Sequence, residues 1–398
     1  MNKIETKKLI NKVFDYIEKE NIVTEYNTFK GHPGLYFFKT KEEFNKKLDL
    51  LLTKEEYDRY DIYYLVQSLI KFLLSKYDSH TRMWFQDNIT FPIKFKIEDN
   101  KVYVINITED LANVIGGELV SVNNISIKQI KKELEQIICY GTKEYLETTL
   151  SSYLIQLNIL KSLPSIDNNI TEVKYTIIQD GVRKDIVFVE KQTYNKYPEN
   201  IKDNCSYEIK EDILTIYYNS CKEQDKMNKL VEEISKKNNI EYYVVDIRNN
   251  SGGDSSIIEP LIDFLKDKNV VTIVNEKVFS SGLMAMIELK KIGSYIIGNN
   301  IGTPLNYFGE TPDKLDLKDL GLSIKRSNRY WYYDNNLNCK SFVRGDFEEY
   351  FRDKKEVLKP IIFSPDKFVD LSVQDIISGN DTQLERAIEY IQNSLKYK

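Results

Sequence analysis

Apolar residues recur at helical spacing near the start of the chain, in LINKVFDYI (9–17) and again in YYLVQSLIKFLLSKY (63–77), with the turn-forming GHPGLYF between them. Side chains three and four apart line one face of a helix, so residues 1–85 read mostly as helices. The texture then changes. In FPIKFKIEDNKVYVINI (91–107) apolar positions alternate on either side of Glu98-Asp99-Asn100, which reads as a hairpin. GGELVSVNNISIKQIKKELEQI (116–137) reads as a strand, an Asn123-Asn124 turn and a helix. KYTIIQDGVRKDIVFVEK (174–191) reads as two strands joined at Asp180-Gly181. From about Ser206 the pattern alternates: strands in ILTIYYN, YYVVDIR, VVTIVN and SYIIG, and helices in DKMNKLVEEISKKN, IIEPLIDFLKDK and GLMAMIELKKI. Strands separated by helices of roughly 10–15 residues make βαβ units and a mainly parallel sheet, so the expected class is α/β.

Composition narrows the function classes. The chain has 398 residues, room for two or three domains, with 41% apolar and 29% charged residues. Basic and acidic side chains number 56 and 61, a net charge of −5. That balance argues against a dedicated nucleic-acid binder, which needs a clustered basic surface. Only His32 and His80 are histidines, which excludes a histidine-rich metal site, and the four scattered cysteines form neither a disulfide scaffold nor a zinc motif. The N-terminus lacks an apolar run of roughly 7–15 residues, and nowhere is there one of about 18. The expectation is a cytoplasmic protein without a membrane span, needing no metal or other cofactor.

Three segments carry candidate chemistry. In YYVVDIRNNSGGDSS (242–256) a buried strand runs into Asn249-Asn250-Ser251-Gly252-Gly253 before a helix. Glycine lets backbone approach a ligand, and amides at such a turn can stabilise an oxyanion, although a glycine pair alone reads as a tight turn. No Gly-Lys-Ser/Thr follows, so this is not a phosphate loop. In VFSSGLMAM (278–286) Ser280 and Ser281 stand at the next strand-to-helix junction. A serine there is ordinarily an N-cap; the functional reading is a nucleophile above the carboxyl edge of the sheet. In KYDSHTRMWF (76–85) His80 is a candidate general base, whereas His32, in GHPGLY, reads as structural.

Together the segments resemble the tail-specific (C-terminal-processing) and tricorn-like serine peptidases, over about residues 30–395. Asp246 to Gly253 matches the family's Asp-Leu-Arg-x-Asn-x-Gly-Gly turn, Ser280-Ser281 its nucleophile step, and Gly298 to Thr303, loosely, its Gly-Glu-x-Thr-Gly-Gly segment. Asp78-Ser79-His80-Thr81 matches the Asp-Gly-His-Thr of the histidine-using branch, and GHPGLYFFKTKEEF is similar to that branch's N-terminal region. SPDKFVDLSVQDIISGNDTQLERAIEYI resembles the family's closing segment. The resemblance implies a Clp-protease/crotonase-like catalytic domain over 166–398, an N-terminal helical domain over 1–88 carrying His80, and a degenerate PDZ-like segment with helices over 89–165. It further implies a peptide or protein substrate, Ser280 as nucleophile, His80 as base, and amides of Ser281 and Gly252 or Gly253 as the oxyanion hole.

The sequence also departs from the family. The Ser–Lys branch carries its lysine about 25 residues after the serine, where this chain has Pro304 and Leu305 and no lysine between Lys291 and Lys314. The tricorn-like branch carries a glutamate shortly before the closing Pro-Asp. Here that position falls near Lys359, leaving Glu356 as first choice of orienting acid and Glu310, Glu348 and Glu349 as others. Thr-Gly-Gly is reduced to Ile301-Gly302-Thr303. These gaps leave a second reading open, a diverged relative that binds peptides or apolar ligands without cleaving them.

Overall fold

Apolar runs with little polar interruption suit strands that are covered on both faces. In the computed structural model Ile213–Tyr217, Tyr242–Asp246, Asn269–Val274 and Tyr295–Gly298 run parallel in that order and are buried almost throughout. Ser206–Lys210 adds an antiparallel edge and Lys367–Phe368 a short parallel one. The crossovers are the helices Gln224–Ser235, Glu259–Leu265 and Ser281–Lys291. Ile213, Tyr242, Val244, Val271, Ile273 and Ile297 pack with Ala387 and Ile391, so the C-terminal helix Thr382–Tyr390 closes one face. The alternation read from the sequence is thus a doubly covered α/β sheet. Its carboxyl edge carries the loops that follow Asp246, Val274 and Gly298.

The structure describes residues 1–19, 21–24, 27–74, 76–194 and 201–395. Among them, 142–145, 201–305 and 361–395 form one compact unit around the parallel sheet, and 1–141, 146–194 and 306–360 form the other. Compactness and chain order therefore do not coincide. Residues 306–360 fall within the 166–398 span expected of the catalytic domain, yet they pack in the first unit. So does the 174–191 hairpin: its strand Glu172–Gln179 pairs with Glu118–Val122 and completes the antiparallel sheet that begins at Ile93.

In that first unit the helices Lys3–Glu18, Lys41–Leu51 and Arg59–Leu73 each begin at a capping box, on Asn2, Thr40 and Asp58. Among the described residues the two-residue turns Asp99-Asn100, Asn123-Asn124 and Asp180-Gly181 have positive φ at both positions, the conformation that matches strand twist. The helical reading of 63–77 is too long. The helix ends at Leu73, and Arg82–Phe85 is a strand paired with Leu322–Lys325. The cause is Asp78, whose carboxylate accepts the amides of His80 and Thr81 at 3.0 and 3.1 Å and so bends the chain into a turn. Among the described residues no helix is long and apolar enough to cross a membrane.

Candidate active-site residues

In the parallel-sheet unit the turn after Asp246 and the step at Ser280 are built into one another. Arg248 starts the turn. Its guanidinium binds Asp246 at 2.6 and 3.0 Å and both carboxylate oxygens of Asp381 at 2.7 Å. Burial opposes its charge, but the two carboxylates more than offset this and hold it above the ordinary arginine range. Asn250, 0% exposed, is the hub. Its amide nitrogen donates to the Tyr218 carbonyl (3.1 Å), its side-chain oxygen accepts the Gly252 amide (3.0 Å) and the Cys221 thiol (3.3 Å), and its carbonyl accepts the Phe279 amide (3.0 Å).

The glycines are dictated by these approaches. Gly252 has φ +100°, and a Cβ there would stand 2.9 Å from the Ser280 Cβ and 3.0 Å from the Ser281 nitrogen. Gly253 has φ +143°, and a Cβ there would lie 2.0 Å from the Cys221 carbonyl oxygen. Their amides differ. That of Gly252 is spent on Asn250, which removes Gly252 as an oxyanion donor. Gly253 is exposed, bridges Cys221 through its neighbours, and accepts the Ser281 hydroxyl on its carbonyl at 2.7 Å. Its own N–H has no acceptor among the described residues.

Ser280 precedes the helix Ser281–Lys291, where a serine normally has extended backbone and caps an amide. It does neither: φ is +56° and ψ −123°, and the side chain makes no capping bond. A non-glycine residue keeps such a conformation only when its surroundings enforce it, and such residues cluster at functional sites. Here the Ser280 amide donates to the buried Thr303 hydroxyl at 2.9 Å. The half-buried hydroxyl is left uncommitted by the cap, beside the first amide of the helix, that of Ser281, where the helix dipole favours negative charge. Ser280, Ser281, Gly252 and Gly253 therefore stand together.

His80 and Glu356 lie in the other unit. His80 is 5% exposed and stacks on Tyr307 at 5.6 Å. Burial pushes its imidazole down to about 3; Asp78 opposes this, and Lys325 and Arg82 reinforce it. Those two cations face each other across paired strands, and burial with the Arg82 charge pushes the Lys325 ammonium down to about 8. Asp78 itself faces His32, which receives the Gly34 amide on Nδ1 (2.9 Å) and presents Nε2 to the carboxylate (2.7 Å). Ser327 donates to the other oxygen at 3.0 Å. Burial would raise the Asp78 carboxyl, yet hydrogen bonds from His32 and Thr81 hold it well below its usual range. His32 therefore supports the turn that carries His80, as its proline-flanked setting suggested.

Glu356 sits exposed on the short turn Lys355–Leu358. The carboxylate with the largest effect on His80 is Asp78, which argues against Glu356 as the orienting acid. Glu310 and Glu348 are paired with Arg329 and Arg344. The sequence reading gave no role to Asn250, Asp381 or Ser327. Asn250 and Asp381 lie inside segments already singled out, but nothing local marks Ser327, whose partner is 249 positions away.

Residues 212–282, from the first parallel strand through the Ser280–Ser281 step, match the family model of peptidase family S41. No curated protein sequence matches the chain. The structure of mature CPAF superposes with TM-score 0.62 at 11% identity, covering 98% of both chains, and so shares the fold. The photosystem II D1 C-terminal processing protease aligns at TM-score 0.45 and 13% identity over 95% of this chain and 98% of its own. The tricorn protease aligns at 0.41 and 14% over 89% of this chain and 34% of its own.

Proposed function

We propose that this chain, a serine peptidase of family S41, cleaves peptide or protein substrates through an acyl-enzyme, with Ser280 as nucleophile and His80 as general base. The observation that carries this reading is the Ser280–Ser281 step, a serine of positive φ whose hydroxyl is not spent on its helix and which adjoins the amides of Ser281 and Gly253. In the forward step the Ser280 Oγ bonds to the substrate carbonyl carbon while its proton passes to His80, and the oxyanion is held by the amides of Ser281 and Gly253. The proton then goes to the leaving amine, and water, activated by the same imidazole, releases the acyl group and restores Ser280. Each oxyanion donor contributes about 3–4 kcal/mol to such a step. Burial keeps the His80 imidazole unprotonated at the expense of its basicity, and Asp78 supplies the negative charge that opposes this and supports the transient imidazolium.

The test is covalent labelling with a fluorophosphonate, with the labelled residue mapped. Label is expected on Ser280, to be abolished in Ser280→Ala and slowed about 10²–10⁴-fold in His80→Gln, the usual worth of a general base. Ser281→Ala keeps its amide but loses the bond that presents Gly253, so it should be slowed yet active. Label on Ser281 would shift the nucleophile by one residue. Absence of label together with absence of peptide hydrolysis would overturn the mechanism in favour of a diverged, ligand-binding relative. An unimpaired His80→Gln would overturn the base.

A further inference from the structure

Residues 142–145 belong to the nucleophile's unit, although the chain on either side of them packs in the other. Three contacts with the rest of that unit account for this. The Thr142 hydroxyl donates to the Gly302 carbonyl at 3.1 Å and accepts the Tyr145 amide at 3.0 Å, capping the helix Lys143–Tyr153. The Glu144 carboxylate accepts the Asn300 side-chain amide at 2.8 Å. The Tyr145 ring stacks on Phe279, with centroids 5.0 Å apart and planes at 22°. These contacts fall on the two segments that define Ser280: Phe279 precedes it directly, and the 300–303 loop delivers the Thr303 hydroxyl that its amide donates to.

We propose that residues 142–145 form a strap that holds Ser280 in its attacking conformation, with Tyr145 as the positioning residue. The proposal rests on Ser280 being the nucleophile. Its physical basis is the left-handed backbone. A serine with φ +56° relaxes unless both its flanks are fixed. Asn250 fixes the Phe279 amide from the sheet side, and Tyr145 fixes the ring. Thr142 and Glu144 fix the loop that receives the Ser280 amide. The strap meets Phe279, Asn300 and Gly302, the flanks of Ser280, so its action on the serine is through geometry. Loss of the ring should misplace the reacting oxygen while leaving the substrate's binding contacts in place.

The experiment compares Tyr145→Ala, Tyr145→Phe and Thr142→Val in the full chain, reading fluorophosphonate labelling rate, kcat and KM for a peptide, and thermal unfolding. For Tyr145→Ala, labelling and kcat should fall together by roughly ten- to a hundredfold, the range set by sub-ångström misplacement of a reacting group. KM should stay within about twofold, because ground-state binding is untouched. Tyr145→Phe keeps the stacking and should stay well above Tyr145→Ala in both labelling rate and kcat. If Tyr145→Ala fails to fold, Thr142→Val, which removes both hydroxyl bonds, should show the same joint fall by a smaller factor. A Tyr145→Ala enzyme with wild-type labelling and kcat overturns the strap, as does a change confined to KM, or a Tyr145→Phe variant as impaired as alanine. Wild-type protein that is not labelled on Ser280 instead overturns the nucleophile assignment beneath it.

Discussion

Ser280 and Gly252 depend on one another. The left-handed serine costs about 1–3 kcal/mol relative to an ordinary backbone, and it can be tolerated because Gly252 leaves the space its Cβ needs. Gly252→Ala would put a methyl 2.9 Å from that Cβ and from the Phe279 carbonyl, at a φ that side chains rarely adopt. The cheapest relief is for the Ser280–Ser281 step to move, since the turn itself is pinned by Asn250. Gly252→Ala should therefore lower kcat by about 10²-fold or more, comparable to loss of an oxyanion donor, while the protein still folds. Steady-state kinetics beside urea unfolding would check this. Loss of folding in step with activity would instead mean that the turn, not the Ser280–Ser281 step, yields.

At the scale of elements, the parallel sheet is fastened by carboxylates of the closing segment. Asp366 binds Lys290 at 2.6 and 2.8 Å and the Ile296 amide at 2.8 Å, Asp370 binds Asn299 at 2.9 Å, and Asp381 binds Arg248. Arg248 is the more buried of the two cations, its side chain 11% exposed against 32% for Lys290. Arg248→Met would leave the Asp246 carboxylate buried without its partner, which costs about 3–5 kcal/mol in comparable buried pairs. The denaturant midpoint should fall accordingly; a midpoint within error of wild type would mean that water replaces the guanidinium. The sequence made the strands, hairpins and crossover helices readable, because period, turn residues and apolar runs are local signals. It could not say which sheet a hairpin joins. The 174–191 hairpin and the 306–360 stretch fall inside the 166–398 span that the resemblance implies, but what they pair and pack with is fixed by long-range contacts that no local pattern records. Ser280 and His80 were legible only as part of a motif. The reason for the left-handed serine lies in Asn250, Gly252 and Thr303, of which Thr303 is 23 positions away.

The whole chain carries only two imidazoles, and the burial of His80 gives acid stability a defined signature. Its folded-state value of about 3 lies below the unfolded value near 6.5, so between these limits the unfolded chain binds more protons than the native one. Stability must then rise with pH through this window, and it is lost as pH falls from about 6.5 toward 3. The slope from this one group approaches about 1.4 kcal/mol per pH unit, one proton's worth of linkage. Asp78 acts in the same direction but lower down: its carboxyl is depressed in the fold, so its contribution is present above its unfolded value near 3.9 and lost only below that. Between about pH 6 and 4 the difference between wild type and His80→Gln therefore belongs to the histidine. Urea unfolding at half-unit steps should show the wild type losing stability more steeply than the variant across that interval, with the curves parallel above pH 7. Parallel curves throughout would mean that the imidazole titrates in the native state as it does in water, and that His80 is reached by solvent in the folded protein.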